Sequence, residues 1–288
     1  KTWSIDQGGE LNFRRNTVMQ GGVTLRESNQ EIKLWTEPDA IGNWNNLRIA
    51  FQNVNLGDIS PFISKKNRIE GLLNGDATIE DPQKRLNINS NLTVNAARLD
   101  NDSIGDIHAT LVYDNQTGKL SIRGTNSDEE HHFDVDVAMN VKDTATNVTI
   151  RSQLKNFQLS YLNCFLGLIF SDIQGYVTGN LDVDVIDGSA NVVSKAKVHD
   201  ASFKVNFTQV KYKIDDTEIE LKKDYIDLNN IRIRDKDGNT ATVKGGIRHN
   251  AFANMDYDIL VETQSKNFDL LNTTINDNQT FYGTAKGS

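Results

Sequence analysis

Residues 173–185, IQGYVTGNLDVDV, alternate apolar and polar side chains with hardly a break. Ile173, Gly175, Val177, Gly179, Leu181, Val183 and Val185 fall on one side of a strand, and the polar residues between them on the other, because successive strand side chains point to opposite faces. The same period of two runs through LNINSNLTV (86–94), FDVDVAMNV (133–141), ASFKVNF (201–207), TATVKGGI (240–247) and MDYDILVE (255–262). After Phe203, Val205 and Phe207 the alternation slips by one, to Val210, Tyr212 and Ile214, which predicts a bulge or turn near Thr208. Clusters rich in Asp, Asn, Gly and Ser separate the runs at 100–102, 114–118, 187–189 and 235–239, as turns require. No helical period persists beyond about ten residues. The pattern predicts an all-β chain whose sheet is greasy on one face and wet on the other.

A longer period lies over the short one. IEGLLNG begins at Ile69, IQGYVTG at Ile173 and FYGTAKG at Phe281, and each is preceded by a second marker: NVNL at 53, NFQL at 156, NFDL at 267. The segments that link marker to marker (57–68, 160–172 and 271–280) are each expected to hold a short helix or turn. Ser60-Pro61 reads as an N-cap followed by proline at the first helical position. The chain is therefore expected to be one elongated domain with a partial repeat at 1–68, repeats at 69–172 and 173–280, and the start of another at 281–288. It opens at Lys1 without a methionine and is expected to be a piece of something longer. The paired glycines share the greasy face, for which two explanations stand: close approach of a neighbouring segment or a bend, or small residues lining a hollow.

Composition narrows the function classes. The net charge of −8 argues against a nucleic-acid binder, which needs a basic face. With 37% hydrophobic residues and a mean hydropathy of −0.51, the chain can coat one face of a sheet but not both. The single cysteine, Cys164, permits no internal disulfide and is expected to be a shielded, small apolar residue. The longest apolar run, YLNCFLGLIF (161–170), is about half a membrane span; it is expected to be a short helix or turn on the apolar face, with a plug or gate as the functional alternative. SDEEHH (127–132) invites a metal-site reading, but His131 and His132 are adjacent and point apart on a strand. DKDGN (235–239) has its glycine misplaced for a calcium loop and no closing glutamate, so a hairpin turn is expected. No nucleophile setting is recognisable, so neither catalysis, a metal nor a cofactor is expected.

Taken together, NVNLGDISPFI (53–63), RIEGLLNG (68–75), FSDIQGYVTGNL (170–181), FTQVKYKIDDTEIEL (207–221), DKDGNTATVKGGIRHNAF (235–252) and LLNTTINDNQTFYGTAKG (270–287) resemble the C-terminal half of the TamB family, in the AsmA-like group, with a Bacteroidota flavour. The resemblance covers nearly the whole chain and is densest from Phe157 to Gly287. It implies a β-taco, an elongated curled sheet with a hydrophobic inner groove, in a periplasmic protein anchored to the inner membrane by an N-terminal helix missing here. It further implies a TamA-like outer-membrane barrel partner reached through other regions, and phospholipid as cargo. On that reading the groove is lined by Ile69, Leu73, Ala77, Ile79, Phe133, Val135, Val137, Met139, Ile173, Val177, Leu181, Val183, Val185, Phe203, Val205, Phe207, Val243, Ile247, Ile259 and Val261. The competing expectation is a scaffold that lends strand edges to outer-membrane proteins by β-augmentation.

Overall fold

Where apolar and polar residues alternate the chain is extended, and strands make up 69% of the described residues, so the fold is all-β. The computed structural model describes residues 2–6, 9–11, 13–14, 17–18, 21–63, 68–100, 102–143, 147–167, 169–186, 189–250, 253–277 and 282–287. The chain divides into two compact units, residues 1–129 with 134–150, and 130–133 with 151–288. The expected turn residues Asp187 and Gly188 lie outside the described residues.

Unit 1 contains β1 (Ser4–Ile5), β2 (Phe13–Arg14), β3 (Thr17–Val18), β4 (Gly22–Glu27), β5 (Gln30–Glu37) and β6 (Asn46–Asn55). Helix α1 (Leu56–Ile63) follows, then β7 (Ile69–Glu80), β8 (Asn87–Leu99), β9 (Asp102–Asp114), β10 (Lys119–Asn126) and most of β11 (His132–Asn140). From β4 to β11 every strand pairs antiparallel with the next, and β1 adds to the outer edge of β4. Short turns make this order the natural one, since antiparallel neighbours need only a hairpin between them.

Unit 2 contains most of β12 (Val148–Gln158), a 3-10 turn (Leu159–Leu162), α2 (Asn163–Leu166), β13 (Phe170–Ile186) and β14 (Ser189–Val205). Next come β15 (Val210–Ile214), β16 (Thr217–Lys222), β17 (Tyr225–Asp227), β18 (Ile231–Arg234), β19 (Thr240–Asn250), β20 (Ala253–Thr263), β21 (Phe268–Thr273) and β22 (Gly283–Gly287). β13 pairs with β14, which then splits its partners between β15 and β16; these continue through β18 and β17 to β19 and then β20. β21 and β22 form a separate hairpin.

The two described linking helices are short, and each is tied to the strand that follows. Ser60 Oγ accepts a hydrogen bond from the Ile69 amide at 2.8 Å, and Asn163 Oδ1 accepts one from Ile173 at 3.1 Å. The expected start of α1 at Ser60 is corrected: the helix begins at Leu56 with Pro61 inside it. Asn55, not Ser60, supplies the cap, its Oδ1 accepting from the Gly57 amide at 2.9 Å. In 161–170 the expected short helix is present as the end of the 3-10 turn and α2. Cys164 falls in α2, but its side chain lies outside the described residues. Among the described residues no helix is long and apolar enough to cross a membrane.

Candidate functional site

Register brings the apolar side of each strand of unit 1 into line with the next. One row crosses eight strands through Leu25, Ile32, Phe51, Gly75, Leu92, Ala109, Gly124 and Val135, and a second runs Val23, Leu34, Ile49, Ala77, Ser90, Leu111, Ile122 and Val137. A third joins Leu47, Ile79, Ile88, Tyr113, Leu120 and Met139, and a fourth Val54, Leu73, Val94 and Ile107. The interleaved row on the opposite face reads Thr24, Lys33, Ala50, Asp76, Asn91, Thr110, Arg123 and Asp136. At the usual spacing between strands, eight strands carry the apolar rows over roughly 34 Å.

This face is not sealed. Among the described apolar side chains of unit 1 only Leu47, Val54 and Ala97 are buried; a sheet covered by a second layer would bury most of the four rows. Ile69, Leu73, Ala77, Ile79, Val135, Val137 and Met139 are all half-buried. The sequence reading missed Ile32, Leu34, Ile49, Leu111 and Ile122, although the same alternation in EIKLW, LRIAF, ATLVY and KLSIR marks them.

Unit 2 is different. There Val210, Tyr212, Ile231, Ile233, Ala241 and Phe268 make a buried cluster, capped by Phe268 of the β21–β22 hairpin. Phe203, Val205 and Val243, expected to line an open groove, instead pack against this cluster; Phe203 meets Phe170 edge-on with ring centroids 5.2 Å apart. Phe207 is corrected too. β14 stops at Val205, residues 206–209 turn, and Phe207 stands 64% exposed in the turn. Phe133 packs edge-to-face on Phe157, which touches Tyr161 of the 3-10 turn. Ile173 is buried.

The remaining expected residues keep an apolar row. Leu181 continues through Ser194, Leu221 and Ile226 to Ile247 and Tyr257. Val177 faces Val198, Val183 faces Val192 and Val185 faces Ala190. Ile259 and Val261 on β20 face Gly245 and Val243 and are 42% and 43% exposed.

In the first two copies the paired glycines have a backbone cause, whereas in the third Gly283 has open space at its Cβ position. Gly75 holds φ +117°, and a Cβ there would stand 2.2 Å from the Asn91 carbonyl oxygen of β8. Gly179, in the corresponding place on β13, would put its Cβ 2.4 Å from Lys195 O. Only glycine tolerates both that φ and that approach. Each pair adjoins a bulge: the register shifts at Glu70/Leu72 against β8 and at Gln174/Tyr176 against β14. Both bulges are knitted by polar side chains. Asn74 Nδ2 donates to Asn95 Oδ1 at 3.0 Å, while Thr178 Oγ1 donates to Asn156 Oδ1, which is also 3.0 Å from His199 Nε2.

The motifs weighed for chemistry are occupied otherwise. His131 lies tilted against Tyr176, centroids 5.2 Å apart, and Tyr176 stacks on His199 at 5.5 Å. Asp235 in DKDGN is buried and accepts from the Asp237 and Asn239 amides at 3.0 and 2.9 Å, the Asn239 side chain at 2.8 Å and the Asp269 amide at 3.1 Å. Burial pushes its carboxyl up, but these donors outweigh it and hold the group below the usual carboxylate value. Lys236 and Lys286 both reach Asp237 and Asp269. Among the described residues no group of three or more His, Cys, Asp or Glu is placed to hold a metal. Comparison with family models, curated proteins and solved structures finds no match to this chain.

Proposed function

We propose that the chain conducts lipid, carrying phospholipid acyl chains along its apolar face as part of a periplasmic bridge between the inner and outer membranes. The observation that supports this best is the four apolar rows of unit 1, which run strand to strand and stay mostly half-buried, with no covering layer among the described residues. Such a surface gains roughly 0.8 kcal/mol for each methylene it takes from water, and needs no polar group to recognise a headgroup that stays wet. The resemblance to the TamB family points the same way. It adds an inner-membrane anchor and a TamA-like barrel as partners of regions outside this chain. The mechanism asks for no catalytic residue: cargo moves along an even apolar surface because no single site holds it much more tightly than the next.

Photoreactive residues at Leu92 and Ile122 should crosslink to phospholipid, and those at Asn91 and Arg123, one step along the same strands, should not. Equal labelling of the two faces, or none on either in a folded protein, would remove the conduit reading and leave the scaffold that lends its strand edges to outer-membrane proteins.

A further inference from the structure

At one end of unit 2 two loops and the end of β21 are drawn together by hydrogen bonds. The Asn206 amide donates to Ile169 O at 2.9 Å and its side chain to Gly167 O at 2.9 Å, while the Asn272 amide donates to Thr208 O at 2.8 Å. Ile169 and Phe207 lie on the two loops, and Ile275 on the turn that follows Asn272; they are 38%, 64% and 56% exposed. A single exposed apolar side chain needs no explanation, but three on adjoining loops do.

Cations line the strands behind them. Lys204 faces Lys211 directly across β14 and β15, and Lys213 faces Arg234 across β15 and β18. Like charges directly opposite are destabilising, and the compensation is partial. Asp172 lies 3.7 Å from Lys204, Asp277 is within reach of the same charge, and Asp215 takes Arg234 at 2.6 Å. Among the described residues no carboxylate pairs with Lys211 or Lys213.

We infer that this end of unit 2 docks on an anionic phospholipid surface, with Ile169, Phe207 and Ile275 entering the headgroup–acyl boundary and Lys204, Lys211 and Lys213 meeting phosphates. Apolar tips beside a short basic stripe fit a soft, anionic interface. The cross-loop hydrogen bonds already satisfy backbone groups that would otherwise be costly to bring out of water. The chain's net −8 does not cancel the stripe, because charges beyond about 8 Å are largely screened at physiological salt. The stripe alternates with Phe203, Val205, Val210 and Tyr212 and so lies on the opposite face of β14 and β15 from the buried cluster, and the inference uses none of the residues of the conduit.

Co-sedimentation with vesicles of phosphatidylcholine, with and without phosphatidylglycerol, tests it. Binding should require phosphatidylglycerol and fall as salt rises. Lys211→Gln and Lys213→Gln should each weaken it about fivefold, and Phe207→Ser about tenfold, with unfolding midpoints unchanged and crosslinking at Leu92 unaffected. Three results would overturn the inference: no binding by the parent protein, variants that bind as the parent does, or poly-glutamate bound as tightly as the vesicles. Self-association that Phe207→Ser abolishes, without vesicle binding, would reassign the patch to a second copy of the chain.

Discussion

Asn53 holds a left-handed backbone, φ 51°, and its amide donates to Asn74 Oδ1 on the next strand at 2.8 Å. In unit 2 Asn156 (φ 47°) does the same to Thr178 Oγ1 at 2.9 Å. At Asn53 the β6–β7 register slips between Phe51 and Val54; in both places a short helical segment follows soon after, and a side chain from the following strand stands in for a missing carbonyl partner.

Removing that acceptor should therefore cost more than an ordinary surface change. Asn74→Ala leaves the Asn53 amide unpaired and should destabilise by about 1–3 kcal/mol, whereas Asn53→Gly should be nearly neutral because glycine accepts the left-handed φ. Urea unfolding midpoints of the two variants measure the difference. Equal losses would show that the side chain of Asn53, rather than its backbone geometry, matters.

Gly75→Ala must force a Cβ against Asn91 O as well as hold a positive φ, so it should destabilise by about 3 kcal/mol or more. Gly105 also has a positive φ, +86°, but open space around its Cβ position, and its alanine variant should lose only about 1 kcal/mol. Thermal melts of the pair separate steric approach from backbone strain.

Tyr212 stacks on Phe268 with rings 9° from parallel and donates its hydroxyl to Asp269 O at 2.8 Å. Burial, and then the charges of Asp269 and Asp235, push its phenol up to about 12. A phenol raised above its unfolded value of 10.0 contributes stability that is complete below that value and is lost as pH rises toward the folded one. Alkaline titration by tyrosine absorbance should show one late-ionising ring, and Tyr212→Phe should remove it while costing about 1–2 kcal/mol at neutral pH.

Asp235 gives the opposite limb. Its carboxyl is held below 3.8 in the folded chain, so it supports the fold above that value and the support fades as pH falls below it. Asp235→Asn should flatten the acid end of the stability curve and lower stability at neutral pH, because an amide cannot accept at both of the positions the carboxylate uses. Denaturant melts between neutral pH and pH 3 resolve the two effects.

The period of two along LNINSNLTV and KLSIRG determined, by itself, that these stretches are strands and which side of each is apolar, because a strand leaves side chains no other choice. It therefore contained most of the candidate face, including rows through Ile32 and Ile122 that the repeat did not single out. Tertiary structure decided what alternation cannot encode. Phe203, Val205, Phe207 and Val243 read alike, yet three pack under Phe268 and the fourth stands in a turn, because burial depends on a hairpin far along the chain. Gly75 and Gly179 read as gaps in a greasy face; their cause is the backbone of the neighbouring strand, which Gly75 meets only once β7 and β8 are paired around a bulge. Local pattern sets which way a side chain points, whereas what it meets there is set by the register and by the loops that close over it.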